Sequence, residues 1–338
     1  MFRVRYSARL ATLLTTIVVT SGYAIAANDL TVSQARELSP LEKQRDCLNR
    51  GLPASCHNNQ PSGLQNSFGK NKVSITSIPC RNCDSDDSHQ KITKTAIFQP
   101  SSNSPNYILI TLKGGDGQHN GFGGGILPRP AGTLDKTLIQ LVKHGAAVFI
   151  PDWEYDMCCV DWGGYDPKLR GSKNHLERLL GVAEYAKKEI GELPVYFLGH
   201  SNGTSSLEQL SKYIQNNPSA QALVSGMVLS APLKQLTPDF KGIHVAYMGH
   251  KKDKCPNTRW SLVEKQYNQF AAGKASFNRK PVTAKSHTLV GISLGVDGPD
   301  HPSFGGKRGC GGGYHSYLKS DEEIIIKLSD LFNNWSSQ

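Results

Sequence analysis

From Tyr107 onward the chain alternates short apolar runs with longer segments whose apolar residues return every three or four positions. Tyr107-Ile108-Leu109-Ile110-Thr111-Leu112 has too few polar positions for a half-exposed strand and reads as one buried on both faces. A glycine-rich loop follows. Leu134, Leu138, Leu141 and Val142 then mark one face of a helix that Gly145 terminates. Ala146 to Ile150 is the next strand, and Asn174 to Ile190 a helix with Asn174 as N-cap and Glu177 completing a capping box. Pro194 to Leu198 is a third strand, and Thr204 to Asn216 a helix with Leu207, Leu210 and Ile214 turned inward. Met227 to Leu229 and His244 to Met248 read as strands, Val263, Tyr267, Phe270 and Ala271 as a helix stripe, and Thr288 to Ile292 as a strand. A final helix carries Ile324, Leu328, Leu331, Phe332 and Trp335 behind a Ser320/Glu323 capping box. Upstream, Val73 to Ile78 and Lys94 to Phe98 form an early pair of strands.

This alternation predicts an α/β fold, a mostly parallel sheet with helices on both faces. In such sheets the working groups stand on loops beyond the carboxyl ends of the strands. The flanking segments divide the chain further. Arg3, Arg5 and Arg9 precede an apolar run from Leu10 to Val19, and Ala24-Ile25-Ala26 offers small residues for cleavage. Residues 1–26 are therefore expected to be a secretory signal, the run being short and Thr-rich for a membrane span. Residues 27–70 are polar and turn-rich and form an N-terminal extension, and 71–338 the main domain. The expected location is exported, periplasmic or secreted, without stable membrane insertion.

Export changes how the eight cysteines are read, because an even number in an oxidising compartment points to disulfides. Cys47 and Cys56 are expected to form a local staple. Cys80-Arg81-Asn82-Cys83 has the spacing of half a zinc site or a redox motif, but no second Cys/His pair accompanies it, so a disulfide is favoured and no metal or cofactor is expected. Cys158 and Cys159 are adjacent, and are expected to pair elsewhere, with Cys80 and Cys83 as candidates. The formal charge of +10 is scattered, with no basic stripe interleaved with aromatics, so nucleic acid is not an expected partner. Oligomeric state is not legible in the sequence.

Gly199-His200-Ser201-Asn202-Gly203 matches G-x-S-x-G, and so does Gly291-Ile292-Ser293-Leu294-Gly295. The chemistry needs a serine on a sharp strand-to-helix turn with small flanking residues. Ser201 has the strand Val195 to Leu198 before it and an amphipathic helix after it. Ser293 is followed by Val296-Asp297-Gly298-Pro299 and no helix. Ser201 is thus the candidate nucleophile, and Ser293 reads as an ordinary turn serine. An oxyanion would be held by the Asn202 amide and by one in Lys113-Gly114-Gly115-Asp116-Gly117, Gly115 first and Asp116 next. A histidine must take the serine proton and a carboxylate must fix its tautomer. Asp253 lies just beyond the strand from His244 to Met248. His315 precedes the final helix and satisfies the chain order Ser, Asp, His. His301 is its rival, and His287 lies within or beside a strand.

Over residues 71 to 338 the chain resembles the α/β-hydrolase superfamily. The matching pieces are Gly114 to Gly117, Gly199 to Gly203, Gly249-His250-Lys251-Lys252-Asp253-Lys254-Cys255 and Cys310 to His315. The last two also resemble exported bacterial members in which a cysteine just after the acid and one shortly before the histidine recur. The resemblance implies that Ser201, Asp253 and His315 form the triad. Lys113 departs from it, standing where many relatives have a histidine. If the Asp253 and His315 side chains meet, Cys255 and Cys310 enter one neighbourhood and are expected to be disulfide-bonded; the alternative pairs each with a cysteine near the N-terminus. The implied activity is hydrolysis of a small-molecule carboxylic ester or acyl substrate. Peptidases, thioesterases, acyltransferases and non-catalytic binding proteins share the fold, and a redox or metal protein built on Cys80 and Cys83 is a more distant alternative. Trp153, Tyr155, Trp162 and Tyr165, between Pro151 and Ser172, either line the substrate pocket or pack a long loop.

Overall fold

The computed structural model describes residues 71–84, 92–101, 104–115, 133–152, 167–233, 236–272, 276–277, 280–281, 284–297 and 313–338. The expectations placed on 1–26 and 27–70, on Cys47, Cys56, Cys158, Cys159 and Cys310, on His301 and Asp116, and on the aromatics between 153 and 166 fall outside those residues.

The early strands β1 (Lys72–Pro79) and β2 (Ile92–Gln99) pair antiparallel. The apolar run becomes β3 (Tyr107–Leu112), buried at every position as its composition requires. Helix α1 (Thr133–Gln140) tightens into a 3-10 turn, Leu141–His144, closed by Gly145, whose N–H reaches the Leu141 and Val142 carbonyls. Then come β4 (Ala146–Asp152), short α2 (Pro167–Arg170), α3 (Lys173–Ile190) and β5 (Val195–His200). Helices α4 (Gly203–Gln215) and α5 (Pro218–Gln221) lead to β6 (Gly226–Ser230) and β7 (His244–His250). Helix α6 (Trp260–Ala271), a two-strand ribbon of β8 (Ser276–Phe277) and β9 (Lys280–Pro281), strand β10 (Ser286–Ile292) and α7 (Asp321–Ser336) complete the order.

Eight strands form one sheet in the order β1-β2-β4-β3-β5-β6-β7-β10. Strands β4, β3, β5, β6, β7 and β10 run parallel, and β2 lies antiparallel between β4 and the edge strand β1. The period-two alternation of each strand splits the core in two. Ile108, Ile110, Val195 and Phe197 face α3, α4 and α6, whereas Tyr107, Leu109, Tyr196 and Leu198 face α1 and α7. On the second face Phe332 stacks on Tyr196 with ring centres 5.1 Å apart. Burying a side chain of that size contributes about 1.5–3 kcal/mol.

Register positions the site. Leu112 pairs with Gly199, His200 with Ser230, Ser230 with Met248, and His250 with Ile292, so the carboxyl ends of five strands form one rim.

Both predicted capping boxes are corrected. Helix α3 is capped by Ser172, whose hydroxyl accepts from the His175 N–H at 3.2 Å. Asn174 lies inside the helix and accepts from the Asp84 N–H, while the Glu177 carboxylate pairs with Arg81 at 2.8 Å. At α7 the Ser320 hydroxyl donates to the Leu294 carbonyl and Glu323 accepts the Ser293 and Leu294 N–H groups. In each case a tertiary partner outcompetes the local one. Cys80 is bonded to Cys83, which corrects the suggested pairing of that couple with Cys158 and Cys159.

Candidate active site

Ser201 sits between β5 and α4 at φ 50°, in the left-handed region, where a residue with a side chain is strained by about 1–2 kcal/mol. The strain is held by a Ser201 N–H bond to the Ser230 carbonyl at 2.8 Å, and by the Thr204 N–H and hydroxyl returning to the Ser201 carbonyl at 2.9 and 2.5 Å. The motif's glycines are required by close approach. A Cβ at Gly203 would lie 2.3 Å from the Leu112 carbonyl oxygen, and one at Gly114 would lie 2.8 Å from the His200 oxygen and 2.9 Å from Ser201 Cβ. The loop after β3 is thereby pressed onto the serine turn.

Gly115, at φ 59°, presents its carbonyl to two side chains. Arg170 Nη2 donates at 3.1 Å and Asn202 Nδ2 at 3.2 Å. Arg170 Nη1 also donates to Ser206 Oγ at 2.9 Å, and that hydroxyl meets His175 Nε2 at 2.9 Å. A buried cation from α2 and the residue after Ser201 thus fix the same glycine peptide. Two ionisable groups, His175 and Asp135, are shifted by burial. Burial pushes the His175 imidazole well below its ordinary range, with Arg170 and Arg178 adding to the effect. Burial raises the Asp135 carboxyl to about 6, and Lys113 opposes that shift.

On the far side of the rim, His315 Nδ1 lies 3.0 Å from Asp253 Oδ2. The carboxylate can only accept, so Nδ1 carries the hydrogen, and in the neutral ring Nε2 is the nitrogen with the lone pair. The Thr258 hydroxyl donates to the same oxygen at 3.0 Å and lies 3.0 Å from His315 Nδ1. Oδ1 accepts the Cys255 N–H at 2.8 Å. All four residues are buried. Cys255 is disulfide-bonded; because Cys80 and Cys83 hold each other, its partner lies outside the described residues.

The two halves meet at His200. Its ring centre is 5.1 Å from that of His315, and its Nδ1 is 3.1 Å from the Ser230 hydroxyl, which meets the Tyr317 phenol at 3.0 Å. Burial first, and the neighbouring His315 second, push the His200 imidazole well below its ordinary range. Among the described residues no hydrogen bond joins Ser201 Oγ to His315.

The other candidates stand apart. Ser293 follows β10 outside any helix or strand, with its N–H on Glu323 Oε2 at 2.8 Å. His287 lies in β10 with its ring against Tyr247. Arg170, Thr258 and Ser230 were not singled out from sequence, and no motif marks them. Among the described residues no group of three or more His, Cys, Asp or Glu is disposed to hold a metal ion.

No protein-family model matches the sequence, and no curated protein matches it. Solved structures do match its fold. A dienelactone hydrolase-like promiscuous phosphotriesterase from metagenomic libraries superposes with a TM-score of 0.50 at 11% identity, over 79% of this chain and 99% of its own. A thermostable carboxylesterase cloned from a metagenomic library gives 0.47 at 12% identity, over 89% and 97%. An α/β serine hydrolase without a lid, from Xanthomonas campestris, gives 0.44 at 10%, over 78% and 93%. With the strand order described above, the chain has the α/β-hydrolase fold.

Proposed function

We propose, from the α/β-hydrolase fold, that the protein is an exported serine hydrolase cleaving small carboxylic esters through Ser201, His315 and Asp253. One observation carries the reading: the Asp253–His315 hydrogen bond lies at the same sheet rim where Ser201 occupies a left-handed turn. His315 Nε2 takes the proton of Ser201 Oγ as that oxygen attacks the ester carbonyl. Asp253, held by Thr258 and the Cys255 amide, keeps the imidazole in the accepting tautomer and stabilises its cation. Negative charge developing on the carbonyl oxygen is met by the Asn202 N–H, at the N-terminus of α4 where first-turn amides have no helical acceptor, and by a Gly115 N–H. The imidazolium then protonates the leaving alcohol, and water repeats the sequence on the acyl-enzyme. The basic leader and small-residue cleavage site support export.

Labelling with a fluorophosphonate and mapping the modified peptide tests the nucleophile. A single adduct on Ser201 is expected. An adduct on Ser293, or none in protein that hydrolyses esters, overturns the assignment. Identification of the mature N-terminus near Ala27 tests the export reading.

A further inference from the structure

A second imidazole stands between the turn that carries Asp253 and the segment that carries His315. His250 is the last residue of β7 and is buried. The Lys252 backbone N–H, which can only donate, points at its Nδ1 from 3.0 Å, so Nδ1 bears a lone pair. Its Nε2 lies 2.8 Å from the Leu294 carbonyl oxygen, which can only accept, so Nε2 bears the hydrogen. The ring is held as the neutral Nε2–H tautomer by two groups that cannot exchange roles.

Each of those bonds belongs to a different part of the site. Lys252 is the residue before Asp253, and the Asp253 N–H itself returns to the His250 carbonyl at 2.9 Å. The Leu294 carbonyl accepts in addition from Ser320 Oγ at 2.6 Å, at the end of the His315 segment. Tyr314, adjacent to His315, packs on the His250 ring with centres 4.6 Å apart and receives the Lys252 ammonium 5.7 Å from its own centre. The close fit leaves little room for adjustment, since a Cβ on Gly295 would lie 3.2 Å from His250 Nε2.

We infer that His250 is a positioning residue: neutral, it ties the Asp253 turn to the His315 segment, and protonated at Nδ1 it releases the turn. The inference rests on Asp253 and His315 acting as proposed above. A proton added to Nδ1 faces the Lys252 N–H, two donors with no acceptor between them. The Lys252 peptide must then swing away and carry Asp253 with it. The charged and titratable groups around the ring are Asp253 and Lys252 on its own turn, Glu323 on α7, and the Tyr314 and Tyr317 phenols. Burial and Lys252 disfavour the cation, whereas Asp253, Glu323 and the Leu294 carbonyl favour it. Burial is the largest influence, and it holds the imidazole below its ordinary range. The neutral form prevails at neutral pH, and release occurs only in acid.

The test is a pH profile of kcat and KM on a chromogenic acetate ester for wild type, His250→Phe and His250→Asn, with imidazole nitrogen NMR on wild type. Phe keeps the ring and loses both nitrogens, and kcat is expected to fall about 10–100-fold with KM little changed. Asn offers Oδ1 to the Lys252 N–H, and is expected to recover most of that loss. On the acid limb, log kcat/KM of wild type should steepen from slope one to slope two, as two histidines must lose protons; in His250→Asn it stays at one. NMR should find Nδ1 unprotonated and Nε2 protonated whether or not the enzyme turns over. A limb of slope one throughout in wild type, the opposite tautomer, or an unchanged kcat in His250→Phe overturns the inference. His315→Ala separates the two readings: if it stays active the triad assignment fails, and if it is inactive the profiles judge His250 alone.

Discussion

The chain carries the same five-residue pattern twice, at the ends of two strands of one sheet, and only one copy sets its serine on a left-handed turn between strand and helix. After β5 the backbone reverses through φ 50° at Ser201 and enters a helix of 13 residues. After β10 no regular element begins through Asp297, and the N–H groups of Ser293 and Leu294 are already taken by the Glu323 carboxylate at 2.8 and 2.7 Å. The first copy aims the start of a helix at the space beyond the sheet. The second spends its donors on the fold itself. Small residues around a serine permit a turn, and the element that follows decides what the turn presents.

The sharpest way to break this contrast is to remove each hydroxyl. Ser201→Ala should lower kcat by about 10⁶-fold, the scale seen when a nucleophile acting with its histidine is lost. Ser293→Ala should leave it within a few-fold, and comparable losses in both would erase the distinction. The next largest effect is expected on the support of the first copy. Asp253→Asn should cost about 10⁴-fold near neutral pH by favouring the wrong tautomer of His315; a drop below tenfold would show that another group orients that ring. Backbone packing comes third. Gly203→Ala places a methyl 2.3 Å from the Leu112 oxygen and should destabilise the fold by about 3 kcal/mol or more, read as a lower midpoint in urea. An unchanged midpoint would mean that the serine turn is not pinned to β3.

The smallest effect concerns the residue before each serine, His200 in one copy and Ile292 in the other. His200 stays neutral in the folded protein well below its ordinary pKa, whereas the unfolded chain takes up a proton near pH 6.5. As pH falls through 6.5 the unfolded state therefore binds the extra proton and stability declines, by up to about 1.4 kcal/mol per pH unit; above 6.5 the contribution vanishes. His175 acts with the same sign. His200→Asn should flatten the loss of stability between pH 7.5 and 5.5, measured by urea unfolding at each pH. An identical loss in the variant would refute it.

What could be read in the sequence follows from the range of the interactions involved. Strand β3 is legible because six consecutive apolar-rich residues admit little else, and the meeting of Asp253 with His315 because the order of chain elements brings both to loops at one end of the sheet. The capping boxes were misread because Glu177 is taken by Arg81, 96 positions away. Arg170 meets Gly115 across 55 positions, Thr258 meets His315 across 57, and His250 meets Leu294 across 44. An isolated arginine, threonine or histidine carries no local sign of such a partner. These residues become legible only once the sheet has set the register of its rim.

One arrangement bears on how such a chain reaches its native state. Helix α7 supplies Ile324, Leu328, Phe332 and Trp335 to cover Tyr107, Val148 and Tyr196, yet it follows every strand of the sheet in chain order. During synthesis from the N-terminus, and during any passage through a translocation pore in that direction, the part of that apolar face not covered by α1 stays bare after all its strands have emerged. A ribosome stalled before residue 321 would release an aggregation-prone product rather than a slightly shortened protein.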